Sequence, residues 1–165
     1  MRGVPRAVDC CFDYHRLVVP PNAPALAPDV LERARRFLDS ADLRFATIAT
    51  LGADGSPHQA VVWYLVEGDT LLVNSADGRV WPANLRRDPR ISVTIEDGYR
   101  WLAVRGTVEI VDETHAAQAD IAAMARRYHA DEPERAEQMI RDRFELQRRV
   151  SFRLSLKSSR LHFEE

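Results

Sequence analysis

Apolar positions recur along this chain at two spacings, and the switches between them divide it. Residues 1–25 show no period and carry Pro5, Pro20, Pro21 and Pro24, which predicts an extended arm ordered only by packing on the body or on a partner subunit. In PDVLERARRFLDSAD, Val30, Leu31, Ala34, Phe37 and Leu38 fall at helical spacing and make one apolar stripe. The spacing then drops to two. RFATIATLG alternates Phe45, Thr47 and Ala49 against Ala46, Ile48 and Thr50. Asp54-Gly55 marks a tight turn into PHQAVVWYLVEG, a strand apolar on both faces and so expected to be covered on both. TLLVNSA, ISVTIEDG and WLAVRGTVEIV follow as further strands; in the last, Leu102, Val104, Val108 and Ile110 share one face.

Helical spacing returns twice more. One stripe runs through Ile121, Met124, Ala125 and Tyr128, with Thr114 as the expected cap. A second helix is expected over about Pro133 to Arg149, with Ala136, Ile140 and Phe144 inward. SFRLSLKSSRLHF alternates Phe152, Leu154 and Leu156 against Ser151, Arg153 and Ser155 and reads as a last strand. Roughly six strands joined mostly as sequence neighbours predict an antiparallel sheet closed into a small barrel. The expected fold is mainly β with α: a β-barrel with helices before and after it, in one domain over residues 26–165.

Composition narrows the classes. The chain has 165 residues, 45% hydrophobic and 29% charged, which is globular rather than disordered. A net charge of −2 and a pI near 6.2 lack the basic excess that nucleic-acid binding requires. No apolar run reaches the roughly 20 residues of a membrane span, and the N-terminus lacks an apolar stretch of signal-peptide length. Cys10 and Cys11 are adjacent and cannot build a disulfide framework, so a reducing, cytoplasmic compartment is expected. No Ser–His–Asp order, HExxH pattern or carboxylate–histidine cluster is present.

The chemistry concentrates in VNSADGRVWPANLRRDPR, residues 73–90. Pro82 suits the first turn of a helix, which predicts a short helix from about Trp81 to Arg87. Asp88-Pro89 ends it. A helix N-terminus offers free N–H groups and partial positive charge. Arg79, Asn74, Ser75 and the permissive Gly78 stand beside it. Together they predict a site for a phosphate or another anion at the barrel rim; a plain strand–turn–helix with a solvated arginine is the competing reading. On the neighbouring strand, Gln59, Val61 and Trp63 share a face. A flat aromatic ligand would explain its apolar character, and so, equally, would burial by a second subunit.

The ordered set ATLGADGSP, VVWYLVEGDTLLVNSADGR, NLRRDPR and RWLAVRGTVEIV resembles the split-barrel flavin-binding family. Its relatives include pyridoxamine 5′-phosphate oxidase and the deazaflavin-dependent reductases. The likeness covers residues 30–111 and the final strand. It implies an antiparallel split β-barrel of the FMN-binding type, a homodimer with two sites at the interface, and FMN or the deazaflavin coenzyme F-420 as cofactor, with F-420 preferred. It further implies that Gln59, Ala60, Val61, Val62 and Trp63 line the ring, that Asn74, Ser75 and Arg79 hold the phosphate, and that Asn84 orders the loop. Many members have lysine where this chain has Trp81, so either Arg79 suffices, or Trp81 stacks on the cofactor, or the cofactor binds weakly; core packing is the other role open to Trp81. Arg86, Arg87 and Arg90 offer charge to an oligoglutamate tail or simply end the helix.

The expected activity is an oxidoreductase that passes a hydride between the ring and a small organic substrate. The alternative is a flavin- or deazaflavin-binding carrier or sensor without turnover. No acid is nominated, since Tyr64 and His58 alternate away from the Gln59 face. Vitamin B6 oxidase activity is set aside because the segment SLKSSRLHFEE is not read as the Arg-x-His tail that serves substrate in those enzymes.

Overall fold

The computed structural model describes residues 28–40 and 42–164. The proposed arm over residues 1–25, with Cys10 and Cys11, lies outside them. Helix α1 (Pro28–Leu38) leads into β1 (Ala46–Leu51), β2 (Pro57–Val62), β3 (Tyr64–Glu67) and β4 (Thr70–Ala76). Helix α2 (Val80–Arg87) follows, then β5 (Arg90–Asp97), β6 (Arg100–Thr107) and β7 (Glu109–Val111). Helices α3 (Thr114–Tyr128) and α4 (Pro133–Met139) precede β8 (Arg149–Ser155) and β9 (Arg160–Glu164).

The strands form two antiparallel sheets, ordered β2-β1-β5-β6-β9 and β3-β4-β8-β7. Nine strands are described where six were expected, because three long apolar runs each divide in two. The first breaks at Trp63, the second at Val108, and the third at a 3-10 turn, Leu156–Ser158. Each run contributes one half to each sheet, so these breaks are the seams of a barrel split into two sheets. Gly106 marks a close approach at one of them. A Cβ there would lie 2.6 Å from the Ser159 hydroxyl and 2.9 Å from a Leu154 methyl, so any side chain would force these neighbours to shift.

Between the sheets lies the main core. Ile48, Val93, Ile95, Leu102 and Val104 from one sheet meet Leu71, Val73, Phe152 and Leu154 from the other. The outer face of the four-stranded sheet carries a second core, where Leu72 meets Ile121, Met124, Ala125, Ile140 and Phe144. Leu71 to Ser75 are therefore buried on both faces of β4. The expectation of a strand covered on both sides belongs here, not to β2, where Pro57, Gln59 and Val61 are exposed in the single chain.

Two helix boundaries differ from expectation. Glu113, not Thr114, caps α3, its carboxylate accepting from the His115 and Ala116 N–H groups. The second late helix stops well before Arg149. After Met139 it widens into a π-helical turn, Ile140–Phe144, and Arg149 already pairs with Ala76 as the first residue of β8. Strand pairing and burial override the local helical spacing here. Ala136, Ile140 and Phe144 are nevertheless buried, as their stripe predicted.

Phe152 is fully buried and its ring packs 5.1 Å from that of Trp81. Phe152→Ala is expected to destabilise the fold by about 3–5 kcal/mol. Urea unfolding checks this; a loss below about 1 kcal/mol would show that these sheets do not share one core.

Candidate anion and cofactor site

The site is built where β4 ends. The Asp77 N–H donates to the Arg148 carbonyl at 2.8 Å, which holds the chain against the start of β8. Gly78 then turns with φ of 85°, a conformation that L side chains rarely adopt. Arg79 follows as the N-cap of α2 in extended conformation, and no side chain caps the helix. Pro82 is the third helical residue and has no N–H to lose. The amides of Val80 and Trp81 thus open the helix without an intrahelical acceptor, and no acidic residue stands in its first turn. The nearest carboxylate, Asp77, accepts from the Gly78 N–H at 3.0 Å and pairs with Arg86 and Arg148, each at 3.5 Å.

Helix α2 is held firmly behind this end. Trp81 and Leu85 are buried in the main core. The buried Asn84 amide donates to the Thr50 hydroxyl on β1 at 3.1 Å and its oxygen accepts from Arg87 at 3.2 Å. The helix packs on β1 and β2.

The expected site residues divide into three groups. Gln59 and Val61 point outward from β2, an edge strand, while Ala60 and Val62 pack against the core. Arg79 is exposed beside the helix start. Asn74, Trp63 and Trp81 are placed otherwise than a shared pocket required. Asn74 and Ser75 alternate along β4 and face opposite sides. The Asn74 amide lies under the helical layer, donating to the Ala117 carbonyl and the Ser151 hydroxyl, both at 2.9 Å. Its oxygen accepts twice from Arg149, so its hydrogen-bonding capacity is spent within the protein. The Ser75 hydroxyl donates to the Ala76 carbonyl at 2.9 Å. Trp81 is 4% exposed and belongs to the core, the second of the roles open to it from sequence. Trp63 sits at a seam, stacked on Tyr128 at 4.9 Å with planes 12° apart, instead of continuing the Gln59 face.

Sequence reasoning missed Arg149. Its guanidinium is buried, donating to Asn74 through Nε at 2.9 Å and Nη2 at 2.7 Å, and to Gln147 through Nη1 at 2.7 Å. It also lies 5.1 Å from the Phe144 ring centre. Burial foremost, and then the positive charges of Arg79 and Arg143, pull its pKa down to about 10. The available signal was the alternation of Arg149, Ser151 and Arg153 along a strand whose other face is apolar; reading the residue as a helix end hid it.

Tyr64 and Tyr128 are occupied elsewhere. The Tyr64 hydroxyl donates to the Leu38 carbonyl at 3.2 Å; the Tyr128 hydroxyl donates to the Arg44 carbonyl at 2.6 Å and accepts from the Tyr64 N–H at 3.2 Å. Burial pushes the Tyr128 hydroxyl up to about 12. The reading of the C-terminal tail is also corrected: Arg160-Leu161-His162 is an Arg-x-His triplet, it lies on β9, and the His162 ring is 4.9 Å from that of Trp101. A groove of about 580 Å³ lies elsewhere, along the flank of α4 and the π-helical turn, and all its lining residues come from that one helical stretch. Among the described residues no three His, Cys, Asp or Glu side chains cluster to hold a metal, and no helix is long and apolar enough to cross a membrane.

Scaffold and site separate by mutation. Asn84→Ala leaves the Thr50 contact unmade in a buried place and is expected to cost about 1–3 kcal/mol. Arg79→Ala, at an exposed position, is expected to stay within about 0.5 kcal/mol of the parent. Denaturant titration distinguishes the two; a large loss from Arg79→Ala would make it part of the scaffold.

Comparison with known proteins gives this geometry a family. A family model described as pyridoxamine 5′-phosphate oxidase matches residues 30–155. Among solved structures, a conserved hypothetical protein of Mycobacterium tuberculosis, Rv2991, is 28% identical with a TM-score of 0.61, over 84% of this chain and 86% of that one. An F-420 reductase is 22% identical with a TM-score of 0.56, over 86% and 98% of the two chains. The FAD and heme binding protein of Mycobacterium smegmatis is 22% identical with a TM-score of 0.59, over 81% and 71%. The last two likenesses show the fold. Since the family model spans most of the chain, split barrel and helical layer included, the chain belongs to the pyridoxamine 5′-phosphate oxidase family.

Proposed function

We propose that this chain is an oxidoreductase whose cofactor is a phosphorylated flavin-type ring, coenzyme F-420 or FMN, bound between two copies of the chain. The observation that carries the reading is the uncapped N-terminus of α2 with Arg79 at its cap, on a helix that packs against β1 and β2, the strand whose Gln59 and Val61 point outward. The donors there fit a phosphate: two free amides, a guanidinium able to bind oxygens in pairs, and the end of a helix dipole. Gln59 and Val61 would face the ring, with Ala60 and Val62 anchoring their strand to the core. Asn84 would keep the helix start fixed by its bond to Thr50.

The bound ring would supply hydride chemistry. The residues of this chain supply the rest: Arg79 and the Val80 and Trp81 amides hold the phosphate, and the apolar edge of β2 keeps water from one side of the ring. Val61, 69% exposed, and Val80, 60% exposed, are the surface such an assembly would cover. A second copy on the β2 edge would also satisfy its unpaired backbone groups. A reducing, cytoplasmic setting accords with this use.

A carrier or sensor without turnover is the second reading. It is favoured by the tyrosines, since the hydroxyls of Tyr64 and Tyr128 both donate to backbone carbonyls.

Fluorescence titration of the purified protein with F-420 and with FMN is expected to give dissociation constants in the micromolar range or below for one of them, weakened about tenfold or more by Arg79→Ala. Absence of binding to both removes the reading. Mixing the reduced complex with electron-poor acceptors, and the oxidised complex with pyridoxine 5′-phosphate as a donor, separates turnover from carriage: spectra that persist in both mixtures favour the carrier. Sedimentation is expected to show a dimer that Val61→Glu converts to monomer; a wild-type monomer would refute the shared site.

A further inference from the structure

The outer faces of the two sheets differ. Helices cover that of the four-stranded sheet, whereas among the described residues no helix lies on that of the five-stranded sheet. Alternate residues of its strands point to this bare face. Val61, Thr47, Thr94, Ala103 and His162 stand in register across it from β2 to β9, a row without acid, lysine or arginine. One flank of the row holds Ala49, Ser92, Arg105 and Arg160. The other holds Glu96 and Trp101, and Phe45, just before β1 and 56% exposed, has the same parity.

The charges on the two flanks are uncompensated. Arg105 and Arg160 are register partners, and like charges directly opposite on one face cost stability. Among the described residues neither pairs with a carboxylate, and Glu96 pairs with no cation. Ser92, the register partner of Arg105, is four residues from Glu96, about 14 Å along the strand, so the two signs do not neutralise each other within one chain.

Resting on the paired copies proposed above, we infer that the second copy covers this face across its breadth, not the β2 edge alone. Identical faces pack about a two-fold axis, and an axis lying along the uncharged row turns each flank onto the opposite flank of the other copy. Arg105 of each copy then meets Trp101 and Glu96 of the other, a cation over a ring and beside a carboxylate. Ala49 lies against Phe45 and Ser92 against Glu96, so small residues receive large ones. Each flank repels its own kind and attracts the other, which fixes the register of the pair. Val61, Thr47, Thr94 and Ala103 meet their own counterparts along the axis.

Sedimentation equilibrium of the full chain, over a dilution series, tests this. Glu96→Arg and Arg105→Glu are each expected to weaken the dimer about tenfold or more, since each sets like charges against one another. The double variant Glu96→Arg/Arg105→Glu exchanges the signs and is expected to return to within about threefold of the wild type. Both positions are exposed, so the fold is expected to survive each change, which thermal unfolding checks. Thr94→Arg is a separate arm: on the central row it sets a guanidinium of one copy against that of the other, and a monomer is expected. A wild-type dimer that tolerates Thr94→Arg and both single reversals is joined at the β2 edge alone, which overturns this inference and leaves the shared cofactor site standing. Single reversals that weaken the dimer without recovery in the double variant overturn it as well. A wild-type monomer removes the paired copies and this inference together.

Discussion

Burial of the four-stranded sheet on both faces is the constraint from which the rest of the architecture follows. Leu71 and Val73 turn one way into the barrel, Leu72 the other way under α3. Phe152 and Leu154 on β8 share the barrel side, while Arg149, Ser151 and Arg153 take the side beneath the helices. A helix-covered outer face is why α3, α4 and the π-helical turn exist as a layer at all. It is also why polar groups on that face must be bonded internally, since water cannot reach them.

Asn74 shows how that requirement is met. Its amide joins α3, β8 and the Arg149 guanidinium in one buried set. On the opposite face Trp81 fills the core against Phe152 and so anchors α2. The loop between β4 and α2 is thereby clamped from both sides, by β8 beneath the helices and by the core behind Trp81. Its free amides and Arg79 stand on a rigid support, which is the condition for recognising a charged ligand without a large ordering cost. The tyrosines serve the same rigidity, Tyr128 linking α3 to the start of β1 and to β3.

The ion pairs on the surface have a lesser part. Asp69, in the turn between β3 and β4, accepts from Arg35 of α1 and from Lys157 at 2.6 Å, and these bonds hold its carboxyl below the usual range. Arg86 with Asp112 and Arg126 with Glu137 tie other elements in the same way. Each has at least one partner open to solvent, so together they tune the arrangement of helices without deciding the fold.

The sequence by itself determined the order of the elements, the antiparallel pairing of neighbours, the helix opening near Trp81 and the chemistry of Arg79, because these depend on spacing, proline and glycine over a few residues. It determined family membership for the same reason: the matching segments are local and ordered. The seams at Trp63, Val108 and Leu156–Ser158 were not legible, since an apolar run reads the same whether it stays in one sheet or passes to another. The roles of Trp81, Asn74 and Arg149 were equally hidden. A tryptophan beside a polar loop fits a ligand or a core, and only the position of Phe152, distant in the chain, assigns it to the core. An arginine at the end of a helical stripe looks solvated until strand pairing with Ala76 draws it inside, where Asn74, Gln147 and the Phe144 ring hold its guanidinium.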